Sequence, residues 1–263
     1  MLSRLLPIVV IPKCLKYFFH SHNLLSMNLC NATQQSLQII LDSHIDSLNV
    51  NSMCKKIDLS DKLQYGDIIE PQHIVIFIGG FCDSLHRTMF ETFCAFIHSC
   101  YNTFYKKHKR TANNIPIAPC TMYTTFNCYS FLHSFLHSLL QYGLQISIIA
   151  HSWGAKNILR LCLHENYAID NLLTLDCVGH FAITHRPNRI VHWENIFIEE
   201  YFELYHRSNL AALLGGAKGS IAFADDNIPI TYPANHASVT SMLEKSKLFK
   251  AIPQELVQIK KNL

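Results

Sequence analysis

Apolar residues follow two rhythms along this chain. In the first, short runs are apolar at nearly every position: HIVIFI before Gly79 and Gly80, QISIIA at 145–150, and LLTL inside IDNLLTLDCVG at 169–179. RIVHWENIFI at 189–198 and the Thr- and aromatic-rich PCTMYTTF at 119–126 are looser versions. A short run without polar alternation predicts a strand buried on both faces, as in a parallel sheet. The second rhythm has apolar residues three or four apart. Leu85, Met89, Phe93, Ile97, Cys100 and Phe104 predict a helix over 84–105. Phe131, Phe135 and Leu139 predict one over 130–143, with Gly143 as its stop. GAKNILRLCLHE predicts a helix over 154–165, and Val239, Met242, Leu243 and Phe249 predict a single terminal helix from 237 to 252. Residues 199–235 show neither rhythm and are expected to be irregular, with turns at Gly215, Gly216 and Gly219.

Strands alternating with helices predict an α/β domain, a mostly parallel sheet with helices on both faces. Ligand sites in such sheets lie beyond the carboxyl ends of the strands. Gly79–Asp83, Ser152 and Asp176 all fall at such ends. The domain is expected over 71–263. Residues 1–70 are expected to form an N-terminal helical extension and connector, with an amphipathic helix over 33–50 carrying Leu37, Ile40, Leu41, Ile45 and Leu48.

Composition narrows the function. Charged residues are only 16% of the chain and the net charge is +3, with no nucleic-acid motif, so nucleic acid is not an expected partner. The basic run KKHKR at 106–110 is read as a solvated helix end, where cations suit the helix dipole. The apolar N-terminus is broken by Pro7, Pro12 and Lys13 and offers no membrane-spanning run, so either a helix docked on the domain or a peripheral membrane contact is expected of it. The 10 cysteines contain no CxxC and are read as reduced core thiols. A cytoplasmic or membrane-peripheral location follows, with secretion, including export as a bacterial effector, left open by the short signal-like core LLPIVVI. His133 and His137 have the i, i+4 spacing of metal ligands but no Glu or third ligand beside them, and are read as exposed. No metal or cofactor is expected.

The chemistry-bearing stretch is SIIAHSWGA, residues 147–155. A serine between small residues at a strand-to-helix turn lifts its hydroxyl above the sheet, and Ala150 and Gly154 let the two backbones approach. A serine hydroxyl becomes nucleophilic only with a base, a group that orients the base, and donors for the oxyanion. Together with VIFIGGF, LLTLDCVG and NHASV, this stretch makes the chain resemble the α/β-hydrolase superfamily over roughly 73–245. The order Ser152, Asp176, His236 matches that superfamily, and the position of the acid resembles that of its lipases.

The resemblance implies a three-layer α/β sandwich and a set of roles. Ser152 would be the nucleophile, His236 the general base, and Asp176 the residue that orients the imidazole. The Trp153 N–H, with that of Gly80 or Phe81, would form the oxyanion hole. Rival acids are Glu199, Glu200 and Asp225; rival bases are His180, His185, His192 and His206. His151 is expected to be structural and turned away from the site, and Asp83 to cap the 84–105 helix. The activity implied is hydrolysis of carboxylic esters with lipid or acyl substrates. Thioester and amide hydrolysis by the same residues, or a non-catalytic binding scaffold, are the alternatives.

Overall fold

The computed structural model describes residues 73–81, 83, 87–96, 99, 120–139, 144–201 and 206–258. The expected 33–50 helix, the rest of segment 1–70 and the basic run 106–110 lie outside them. The described strands are β1 (His73–Gly79), β2 (Cys120–Thr125), β3 (Gln145–His151), β4 (Ile169–Leu175), β5 (Ile190–Ile198) and β6 (Asp226–Ile230). The helices are α1 (88–96), α2 (Tyr129–Leu139), α3 (Trp153–His164), α4 (Arg207–Leu214), α5 (Val239–Lys245) and α6 (Lys247–Gln258).

All six strands pair in parallel in one sheet, in the order β2-β1-β3-β4-β5-β6. Successive side chains on a strand point to opposite faces, and the core divides accordingly. Ile74, Ile76, Ile78, Ile146, Ile148 and Ala150 face one way and meet Leu132, Leu136 and Leu139 of α2 and Ala155, Ile158 and Leu159 of α3. Val75, Phe77, Ile149, Leu173 and Leu175 face the other way and meet Met89 and Phe93 of α1, Val239 and Met242 of α5, and Leu248 and Ile252 of α6. Helices on both faces explain why the strands are apolar throughout: every residue of β1 is buried.

The chain runs from β1 outward to β2, then returns past β1 to β3 and continues in the opposite direction. Connections therefore diverge from the carboxyl ends of the neighbours β1 and β3, the switch point where sheets of this kind hold ligands. Gly79-Gly80 and Ser152 stand at those two ends.

Two expectations are corrected. The 199–235 stretch is not irregular: it contains α4 and β6. Only Asn209 and Ala212 of α4 are buried, so no apolar stripe marked it, and β6 is a five-residue edge strand that tolerates Pro229. The terminal segment is also two helices, not one. Ser246 leaves helical geometry at φ −64°, ψ 127°, and its hydroxyl accepts the Phe249 N–H at 2.8 Å, an N-cap that starts α6 anew. Among the described residues, no helix is long and apolar enough to cross a membrane. Among the described residues, Cys94, Cys128, Cys162 and Cys177 form no disulfide.

Candidate active site

Ser152 joins β3 to α3 with φ 56° and ψ −124°, a conformation that non-glycine residues rarely adopt. Its neighbours impose it. The Ser152 N–H donates to the Leu175 carbonyl at the end of β4, at 2.9 Å. Two residues later α3 runs so close to β1 that a Cβ on Gly154 would stand 2.7 Å from the Ile78 carbonyl oxygen. Ser152 holds the N-cap position of α3, yet its side chain makes no capping bond. A serine there ordinarily turns back to the first-turn N–H groups. This hydroxyl instead meets Nε2 of His236 at 2.9 Å.

His236 comes from the loop between β6 and α5, where local sequence sets the turn. The Asn235 carbonyl oxygen Oδ1 accepts the Ala237 N–H at 2.9 Å, and the Ser238 hydroxyl accepts the Asn235 N–H at 3.0 Å. Tertiary contacts then fix both backbone groups of His236. Its N–H donates to Oδ1 of Asn209 on α4 at 2.9 Å, and its carbonyl accepts Nε2–H of His151 at 2.9 Å. The ring presents Nδ1 to Oδ2 of Asp176 at 2.6 Å. A carboxylate can only accept, so Nδ1 carries the proton and Nε2 is left free to accept from Ser152.

Asp176 follows β4 immediately, at φ 41°, and is completely buried. A buried carboxylate needs partners on its remaining lone pairs. Besides His236, it accepts the Ile198 N–H at 3.2 Å and the Tyr201 hydroxyl, 2.7 Å from both of its oxygens. Burial, and then the Asp176 charge, push the Tyr201 hydroxyl far above its ordinary range, so it remains a donor. Serine, imidazole and carboxylate thus form one hydrogen-bonded line. The imidazole can take the hydroxyl proton at Nε2 while the carboxylate stabilises the cation formed.

Gly80 and Trp153 flank the hydroxyl. A Cβ on Gly80 would lie 2.5 Å from Cβ of Ser152 and 3.1 Å from its Oγ, so only glycine fits there. Phe81 packs at a tilt against Trp153, 5.1 Å between ring centroids, and against Phe126 at 5.7 Å, and Phe126 meets Trp153 edge-on at 5.5 Å. These three rings make an aromatic wall beside Ser152, with Phe81 55% exposed.

The rival residues stand elsewhere. Glu199 and Glu200 are exposed, and Asp225 accepts from Arg186 and from the Trp193 N–H. His180 bonds the Leu214 carbonyl, His185 meets Thr184, His192 neighbours Asp225 and Asp226, and His206 is exposed. His133 lies 3.5 Å from Glu165 rather than sharing a ligand with His137. Asp83 accepts the Met89 N–H in the first turn of α1 at 2.6 Å and also the Tyr123 hydroxyl.

One expectation fails in an informative way. His151 is not turned away: its ring packs on that of His236 with centroids 4.7 Å apart. Burial, and then the adjacent His236, hold its pKa down at about 3, so it is a neutral donor. Sequence reading also missed Tyr201 and Asn209. Both lie in the 199–235 stretch, where no periodicity drew attention to them, and their partners are 25 and 27 residues distant. In comparison with known proteins, the chain matches no family model and no curated protein.

Proposed function

We propose that this protein is a serine hydrolase of the α/β-hydrolase type that cleaves carboxylic esters of lipid or acyl character. One observation carries the proposal: Oγ of Ser152 is 2.9 Å from Nε2 of His236, whose Nδ1 is 2.6 Å from Asp176. In this reading His236 removes the Ser152 proton as the hydroxyl attacks the ester carbonyl. It then returns that proton to the leaving alcohol, and the acyl-enzyme is hydrolysed by a water activated in the same way. The Trp153 N–H, at the start of α3, and the N–H of Gly80 or Phe81 receive the oxyanion. The strained turn at Ser152 supports the reading, because such strain persists where surrounding structure holds a group for use.

The preference for apolar acyl groups rests on the aromatic wall of Phe81, Phe126 and Trp153. It also rests on α4, which Asn209 ties to the histidine loop and which carries Leu210, Leu213 and Leu214 exposed. A Cβ on Gly215, at the end of that helix, would stand 3.3 Å from the Trp153 indole nitrogen, so the end of α4 packs close to the aromatic wall.

The test is a fluorophosphonate probe followed by a panel of p-nitrophenyl esters of graded chain length. Wild-type protein should be labelled at Ser152 and hydrolyse the esters, and Ser152→Ala should do neither. Folded wild-type protein that resists the probe and leaves every ester intact refutes the proposal in favour of a binding scaffold.

A further inference from the structure

On β5 and β6, away from Ser152, three ligating side chains converge. His192 and Glu194 are two residues apart on β5 and so share one face of the sheet, and Asp226 is paired with Glu194 across the β5–β6 register. A ring nitrogen of His192 and one carboxylate oxygen each from Glu194 and Asp226 lie within 4.8 Å of one another. Glu194 is completely buried. Its Oε2 accepts the Lys247 and Leu248 N–H groups at the start of α6, at 3.2 and 3.1 Å. Its Oε1 is buried with no hydrogen-bond partner. A buried carboxylate oxygen left unpartnered is costly, and with Oε2 turned to the helix it is Oε1 that remains for the cluster.

We propose that His192, Glu194 and Asp226 form a binding site for a divalent transition-metal ion of the Zn2+ type. The ion would supply the partner that Oε1 lacks and tie β5, β6 and the start of α6 together. Two carboxylates and a neutral imidazole neutralise a divalent charge. One imidazole beside two oxygens is a donor set that suits Zn2+ and is poor for Ca2+, which requires six or more oxygens. Three ligands at about 2.0–2.2 Å leave a fourth tetrahedral position for water. Such ligands stand roughly 3.4 Å apart in a tetrahedral site, so the cluster must close by up to about 1.4 Å. His192 and Asp226 are free to do so, with side chains 38% and 40% exposed, while Glu194 is held by the helix.

The surroundings favour the same assignment. His192 turns Nε2 toward Asp226, at 3.7 Å, and Nδ1 toward Asp225, at 3.8 Å. A metal-bound histidine generally directs its second ring nitrogen at a carboxylate, which sets its tautomer. Asp225 is suited to that role and not to ligation, since its Oδ2 already accepts from Arg186 and from the Trp193 N–H.

The experiment compares full-length protein, freed of metal by chelator dialysis, with a His192→Gln/Asp226→Asn double variant that changes only half-exposed side chains. Equilibrium dialysis against Zn2+ should show the wild type holding one more equivalent than the variant, a difference that cancels adventitious binding by the chain's other histidines. At a hundredfold excess over Kd, Zn2+ should raise the wild-type Tm by about 5–10 °C, and the variant's by much less. Ca2+ at the same concentration should do neither. Glu194→Gln, which keeps the shape and loses the charge, should weaken Zn2+ binding at least tenfold. Equal stoichiometry and equal Tm shifts for wild type and double variant overturn the proposal, as does a Ca2+ response matching that to Zn2+.

Discussion

Replacing Ser152 by glycine and, separately, by alanine removes the same hydroxyl from two different backbones. The native φ of 56° and ψ of −124° suit glycine alone. Any residue with a Cβ held there stores about 1–3 kcal/mol, and alanine keeps that strain while glycine releases it. Against this, glycine loses about 0.5–1 kcal/mol more than alanine when the chain folds, because its unfolded backbone is freer. The hydrogen bond to His236 is absent from both variants and cancels. Glycine should therefore be the more stable replacement by about 1 kcal/mol, the reverse of its usual rank below alanine. Parallel urea titrations followed by far-UV circular dichroism measure the difference, and thermal melts should separate the variants by about 2–4 °C. Neither variant should react with a fluorophosphonate. An alanine variant as stable as the glycine variant, or more so, would show that the turn stores no strain, and would remove one support for reading Ser152 as a positioned nucleophile.

Four further outcomes follow from the structure. Gly154→Ala puts a Cβ 2.7 Å from the Ile78 carbonyl oxygen and should destabilise the fold by about 1–3 kcal/mol in chemical denaturation. Gly219→Ala meets nothing closer than 3.9 Å and should stay within about 0.5 kcal/mol of wild type. Tyr201→Phe withdraws a donor from the buried Asp176 carboxylate and should lower kcat for ester hydrolysis about tenfold or more with KM little changed, read from steady-state kinetics. His151 and His73 are both held neutral by burial, at about 3 and about 4, from an ordinary value of 6.5. The unfolded chain therefore binds more protons below pH 6.5, and stability should fall as the pH drops from there through 4 toward 3. His151→Gln should flatten that decline in urea midpoints measured across the interval.

The strands were legible because burial on both faces leaves them apolar throughout, a signal that needs no knowledge of the partner strand. HIVIFIG and QISIIAH appear in the sheet at the expected positions. Helices α1, α2 and α3 were legible from the spacing of their apolar residues, although α2 buries Leu132 and Leu136 beside Leu139 while Phe135, expected on that stripe, is only partly buried. The break at Ser246 was not, because the apolar spacing of the terminal segment carries across it while the stop comes from a serine cap and a glutamate 52 residues earlier. Nor was α4, whose leucines face outward.

The same division runs through the chemistry. By itself the sequence determined which residue types were on hand and where the strand ends put them: a serine between small residues, an acid closing an apolar run, a histidine after the last strand. It also determined that glycine stands where a Cβ would strike Ser152 or Ile78. Sequence order pointed to His236 among 16 histidines, with His180, His185, His192 and His206 as rivals, and the tertiary structure joined it to Ser152 and Asp176 across 84 and 60 residues of chain. It alone brought Tyr201, Asn209 and His151 around that line, and gathered His192, Glu194 and Asp226 from two strands. The physical reason is one of range. Periodicity and turn chemistry act over a few residues and are written locally, whereas hydrogen-bond partners meet only after strand order and register have set which distant residues share a face.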